Sequence, residues 1–155
     1  VGEGNYPVDV IDETSNIGID VGAVCCNGNW TNEKSIMQKF KMSENLDILF
    51  NENRTEEAIK LFTEAYIEKL NKVSNLNLYY LIFITIKENI YLCLFKLSKD
   101  NIINVKCNGC SETTIKCSNF IDEKSGKVIL YKSKKRLEIR WNKNIINNDK
   151  TIKIY

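Results

Sequence analysis

The sequence predicts an α+β fold: a central mixed sheet with helices packed on it and a β-rich C-terminal half. Short apolar and β-branched runs of strand length occupy both ends of the chain. One long stretch after Thr55 repeats apolar residues at helical spacing. The helical segments fall together between strands instead of alternating with them, the pattern of α+β rather than α/β proteins. With 155 residues, 43% hydrophobic and 27% charged, the chain reads as one globular domain spanning 1–155.

The first two strands are Val8 to Ile11 and Ile17 to Cys25, joined through the turn-forming cluster Asp12-Glu13-Thr14-Ser15-Asn16, and together they predict a hairpin. Asn27-Gly28-Asn29 ends the second strand. Thr31 is placed to cap a short helix with Glu33 in its first turn and Ile36, Met37 and Phe40 as its apolar stripe. The polar stretch from Ser43 to Arg54 reads mostly as loop. From Thr55, Ile59, Phe62, Tyr66, Leu70 and Val73 mark the buried face of the clearest helix. Leu78 to Ile86 and Ile90 to Leu97 form a second hairpin through Lys87-Glu88-Asn89. Shorter strands follow at Ile102 to Val105, Ile115 to Phe120, Lys127 to Tyr131 and Leu137 to Trp141, with turns at Ser125-Gly126 and Ser133-Lys134-Lys135.

Composition removes several function classes. The net charge is +2, so attraction to an anionic partner must come from local clustering. The densest apolar run, Leu76 to Ile86, is too short to cross a bilayer. No secretory signal pattern is visible, and the Met-less start Val-Gly-Glu-Gly predicts a domain excised from something longer. With no histidine in the chain, a Ser-His-Asp triad, a Cys-His pair and an HNH-type nuclease are all excluded. Six cysteines permit disulfides, but without a secretory signal reduced thiols are the expectation. Cys107-Asn108-Gly109-Cys110 with Cys117 offers three thiols, one short of a structural zinc site unless Cys25 or Cys26 joins them.

The strongest chemical signal is a pair of carboxylates in apolar strands. Asp9 is flanked by Val8, Val10 and Ile11, and Asp20 by Ile17, Ile19 and Val21. Strand alternation sets each aspartate on the face opposite its immediate apolar neighbours, and a carboxylate there is costly unless it binds something. Hard oxygen ligands held on adjacent strands suit a divalent ion that activates water.

The segment Gly4-Asn5-Tyr6-Pro7-Val8-Asp9-Val10-Ile11, followed by Ile17-Gly18-Ile19-Asp20-Val21, resembles the core of the PD-(D/E)XK nuclease superfamily, which includes restriction endonucleases and nuclease domains of bacterial contact-dependent toxins. The resemblance covers about the first hundred residues in order of elements. It implies a restriction-endonuclease-like sheet, Asp9 and Asp20 as metal ligands, and Mg²⁺ (or Mn²⁺ or Zn²⁺) as cofactor. The family's lysine should stand two residues after Asp20, where this chain has Gly22. Glu33, Lys34 and Gln38 on the following helix are then the candidates to position water. Glu3, in Gly2-Glu3-Gly4, is a candidate third metal carboxylate.

Between Lys124 and Lys143, eight cationic residues stand against one acid, Glu138. Lys132, Lys134, Lys135, Arg136 and Arg140 are the candidate phosphate contacts, with Tyr131 and Trp141 nearby to stack or pack; the competing reading is a solvated edge hairpin. The sequence thus predicts a metal-dependent endonuclease. DNA is the favoured substrate and tRNA the second. It would act in the bacterial cytoplasm, either as a toxin effector domain delivered from a secreted or surface-bound precursor and met by an immunity protein, or as a restriction-type enzyme. The alternative is a non-catalytic module of nuclease fold that binds a protein or nucleic acid.

Overall fold

The computed structural model describes residues 8–38, 43–73 and 75–155, with Ser43 and Glu44 by their backbone alone. In chain order the elements begin β1 (Val10–Asp12), β2 (Ile17–Asn27), β3 (Trp30–Thr31) and β4 (Lys34–Gln38), then α1 (Ser43–Asn51) and α2 (Thr55–Leu70). They continue β5 (Asn77–Ile86), β6 (Asn89–Lys96), α3 (Lys99–Ile103), β7 (Lys106–Cys110), β8 (Thr114–Ser118), β9 (Gly126–Tyr131), β10 (Arg136–Trp141) and β11 (Thr151–Lys153). The fold is α+β, as predicted. Its strands form two sheets, and its contacts gather into two compact units. The first unit takes the described residues of Val1–Asn32 with Glu68–Ser98 and Trp141–Tyr155; the second takes Glu33–Ile67 and Lys99–Arg140.

The first unit is a mixed sheet in the order β1-β2-β5-β6-β11, with β3 paired to β2. Its parallel pair is β2 and β5, in register from Ile17↔Asn77 to Cys25↔Thr85. Parallel neighbours need a long crossover, and the chain makes it through residues 33–67. Along β5 the even positions Leu78, Tyr80, Ile82, Ile84 and Ile86 are buried, while Tyr79, Leu81, Phe83 and Thr85 are half-buried. A strand apolar on both faces belongs inside a sheet, and β5 lies between β2 and β6. Gly18 shows how closely the pieces approach: a Cβ there would lie 3.0 Å from Leu78 Cδ2 and 3.3 Å from Leu76 Cδ1. Trp141 is fully buried in this unit. Its ring meets Tyr80 edge-on at 6.5 Å and stacks on Phe95 at 5.8 Å, and its backbone N–H donates to Thr31 Oγ1 at 3.0 Å.

The second unit is an antiparallel sheet in the order β4-β10-β9-β8-β7 together with α1, α2 and α3. Ile115, Val128, Leu130, Leu137 and Ile139 are buried on its strands. The helices contribute Leu46, Leu49 and Phe50 from α1, and Ala58, Ile59, Phe62 and Tyr66 from α2. The ring of Tyr66 lies 6.2 Å from that of Phe120.

Three elements differ from the sequence expectation. The helix expected after Thr31 is instead strand: Lys34, Ser35, Met37 and Gln38 pair with β10. A five-residue segment gains little as an isolated helix, whereas pairing with β10 gives its backbone a ladder; Phe40, expected in that helix's stripe, lies outside the described residues. The stretch expected as loop contains α1, whose Leu46, Leu49 and Phe50 sit at i, i+3 and i+4 and are buried. The expected strand at Ile102 to Val105 is α3 and the turn after it; Ile102 and Val105, three apart, are both buried. Strands β7 and β11, both at sheet edges, carry too few apolar residues to announce themselves.

Candidate functional site

The structure places the predicted residues in two constellations, one in each unit. In the first unit, β1 and β2 pair antiparallel with Val10↔Ile19, Ile11↔Gly18 and Asp12↔Ile17. The ladder ends at Val10; beyond it the Asp9 N–H donates to Ile19 O at 2.9 Å, so the backbone leaves the register there. Asp9 therefore precedes β1 instead of lying inside it, and it is exposed. Its Oδ2 accepts the Val21 N–H at 2.8 Å.

Asp20 is half-buried. By alternation it shares the face of β2 that carries Gly18, Val24 and Cys26, all buried, and its register partner on β5 is Tyr80. Gly22 is next on that face, beside Ile82 in register. Glu3 lies outside the described residues. Among the described residues, no group of three or more Asp, Glu, Cys or His side chains is placed to hold a metal ion.

The second unit brings together residues that the sequence reading had divided between two roles. Glu33 stands just before β4 and Gln38 at its end, while Arg136, Glu138 and Arg140 alternate along β10 on the face opposite buried Leu137 and Ile139. Tyr131 Oη donates to Glu33 Oε1 at 2.6 Å, and Arg140 donates to the same oxygen through Nη2. Arg136 donates to Glu138 Oε1 at 3.3 Å and to Gln38 Oε1 at 3.2 Å. Glu138 is 3% exposed, and its Oε2 has no hydrogen-bond partner; nor do the buried Nε atoms of Arg136 and Arg140.

These contacts set the protonation states. The Tyr131 hydroxyl, against the pull of burial, holds the Glu33 carboxyl below the usual carboxylate range, and the charges of Arg140 and Lys134 add to it. Burial, then the Glu33 carboxylate, pushes Tyr131 up to about 12. At neutral pH the cluster thus holds a charged base beside two guanidiniums and a neutral phenol.

The sequence reading put Lys34 and Gln38 one helical turn apart. On a strand they are about 13 Å apart, and only Gln38 reaches the cluster, since Lys34 pairs in register with Ile139. The cationic tip is also less free than its composition suggests. Lys135 pairs with Asp47 at 3.2 Å, Lys132 donates to Ser111 O at 2.8 Å, and Lys134 lies 4.8 Å over the Tyr131 ring. Arg136 and Arg140 hold Glu138 and Glu33. Trp141 is buried and does not offer a stacking surface. Glu138 was visible in the sequence only as the lone acid of a basic stretch; its strict alternation with Arg136 and Arg140 was the signal that marked it.

The six cysteines are free thiols. Cys107 and Cys117 face each other across the β7–β8 ladder, beyond which a bulge separates Cys107 from Cys110. Burial, with Cys107 close by, pushes the Cys117 thiol up to about 12.

No protein-family model, no curated protein and no solved structure matches the chain.

Proposed function

We propose that the chain hydrolyses nucleic-acid phosphodiester bonds in a metal-dependent reaction, with Asp9 and Asp20 as the metal carboxylates. The observation that carries this reading is that the Asp9 carboxylate folds back onto β2 beside Asp20, its Oδ2 accepting the Val21 N–H at 2.8 Å. Asp20 stands on a face of β2 that also carries buried Gly18 and Val24, with buried Tyr80 beside it in register on β5. The two carboxylates would give a divalent cation hard oxygen ligands on neighbouring segments of the chain. When bound, Mg²⁺ (or Mn²⁺ or Zn²⁺) supplies Lewis-acid activation of water and neutralises charge at the scissile phosphate. The Val21 N–H holds Asp9 in place for this role.

The restriction-endonuclease-like ancestry belongs to the same proposal. So do its biological settings: a toxin effector acting on DNA or tRNA in a bacterial cytoplasm and held in check by an immunity protein, or a restriction-type enzyme. Gly22 leaves the family's lysine position without an amine, and this favours the second reading, a non-catalytic module that binds nucleic acid or a protein partner.

One assay separates the two. Purified protein is incubated with plasmid and with tRNA in Mg²⁺, Mn²⁺ or EDTA, and Mn²⁺ binding is measured in parallel by titration calorimetry. Cleavage that needs metal and falls at least about a hundredfold in Asp20→Asn, with Mn²⁺ binding lost, supports the nuclease. Metal-dependent cleavage that survives Asp20→Asn overturns it, as does the absence of cleavage under every metal.

A further inference from the structure

The polar face of the five-stranded sheet holds chemistry that the aspartate pair does not use. Glu33, Tyr131, Arg136, Glu138 and Arg140 form one hydrogen-bonded cluster, with Lys134 over the Tyr131 ring. Three cations face two carboxylates there, so the cluster carries an excess positive charge and attracts an anion. The Glu33, Arg140 and Arg136 side chains are 27%, 32% and 35% exposed, which lets a ligand reach them from solvent.

We propose that this face is a metal-independent phosphoryl-transfer site for RNA, with Glu33 as general base and Arg136 and Arg140 as the phosphate clamp. The proposal does not rest on the aspartate pair. The choice of RNA follows from the groups present. Guanidiniums supply bidentate donors and charge to a phosphate. A carboxylate base becomes effective when the attacking hydroxyl is already held beside the phosphorus, because an intramolecular nucleophile avoids the entropy of bringing in water. The ribose 2′-hydroxyl is such a nucleophile, and DNA lacks it.

Glu138 is a positioning residue: buried on β10, it accepts from Arg136 and fixes that guanidinium on the polar face of the sheet.

In the reaction, the Glu33 carboxylate takes the proton of the 2′-hydroxyl. The 2′-oxygen forms a bond to phosphorus, and the bond from phosphorus to the 5′-oxygen breaks. The Lys134 ammonium protonates the leaving 5′-oxygen and regains a proton from solvent, to which Glu33 releases its own. The products are a 2′,3′-cyclic phosphate and a 5′-hydroxyl, and nothing is oxidised or reduced.

The test uses the full chain in EDTA with a single-stranded RNA oligonucleotide and its all-2′-deoxy counterpart, with product ends read by mass spectrometry. The wild type is expected to cut the RNA to cyclic-phosphate ends and to leave the deoxy strand intact. Glu33→Gln, whose amide oxygen still accepts from Tyr131, should lower the rate at least about a hundredfold. Glu64→Gln, on the exposed side of α2, should leave it unchanged. The absence of RNA cleavage in EDTA overturns the proposal. So does equal cleavage of the deoxy strand, which the wild type alone decides, or full activity in a folded Glu33→Gln. The metal-dependent reading is judged separately, by the Mg²⁺ and Mn²⁺ arms and Asp20→Asn.

Discussion

The Glu33–Arg140 contact ties β4 to β10, and a double-mutant cycle on it measures how firmly Glu33 is held. The variants are Glu33→Gln, Arg140→Met and the two combined. Two unit charges about 4 Å apart gain ~1 kcal/mol in water and ~4 kcal/mol at an effective dielectric of 20. Side-chain exposures of 27% and 32% put this pair between an open surface contact and a buried bridge. Discounted for that exposure and for the desolvation of both partners, the expected coupling is about 1–2 kcal/mol. Each single variant should lower Tm by a few degrees, at about 2–4 °C per kcal/mol for a chain of this size. The assay is urea unfolding followed by far-UV circular dichroism, because Trp30 and Trp141 both lie in the first unit and their fluorescence reports on that unit. A coupling below about 0.3 kcal/mol, the usual limit of additivity, refutes the reasoning: the contact would then be a solvent-level pair, and Glu33 would not be held by Arg140.

Other perturbations reach other links of the structure. The Glu33–Tyr131 hydrogen bond fixes a pH window. Glu33 has its folded pKa depressed, so its contribution is complete above the ordinary carboxylate value of 4.5 and is lost as pH falls through the lower folded value. Tyr131 is raised to about 12, so its contribution is present below pH 10 and lost as pH climbs from 10 toward 12. The wild type should therefore lose stability on both flanks in pH-dependent Tm measurements, and Tyr131→Phe should flatten both; an unchanged alkaline flank in that variant counts against the bond. Gly18→Val should cost about 1–3 kcal/mol by overpacking against Leu76 and Leu78, whereas Gly18→Ala should cost less, because the nearest atoms are the tips of leucine side chains; equal stability of the valine variant in urea would show that β2 has room there. Cys107 and Cys117, opposite across an antiparallel ladder, have Cα atoms within disulfide reach. Oxidised glutathione should link them slowly at neutral pH and faster at high pH, since the Cys117 thiol is held up to about 12; peptide mapping that finds Cys110 joined instead would refute the pairing.

The legible parts of the fold were those written in local periodicity. Helix α2 declared itself because Ile59, Phe62, Tyr66, Leu70 and Val73 repeat at one spacing, and all five are buried. The hairpins β1–β2 and β5–β6 declared themselves through apolar runs around polar turns. Strand β4 did not. Its residues Ile36 and Met37 fit a helical stripe as well as a strand, and what decides between them is a partner strand about a hundred residues further on. Local propensity is a weak prior when a ladder of backbone hydrogen bonds is at stake.

The candidate sites divide along the same line. Asp9 and Asp20 are close in sequence, so the hairpin that brings Asp9 back beside β2 could be read from the turn between them. Glu33 could be picked out as a chemically interesting acid, but its partners could not: Tyr131 lies 98 residues away and Arg140 lies 107. Seen only in sequence, Arg136 and Arg140 are free cations suited to a phosphate backbone and Glu33 is a neighbour of Asp20. In the folded chain the same arginines neutralise Glu33 and Glu138, and a strand separates Lys34 from the role it was given. This shifts where the chemistry is to be sought. A guanidinium already paired to a carboxylate is not a loose electrostatic contact. It is held at a fixed place on the sheet, next to a carboxylate kept charged at neutral pH, and a group preordered in that way is better placed to stabilise a transition state than one that must first be ordered.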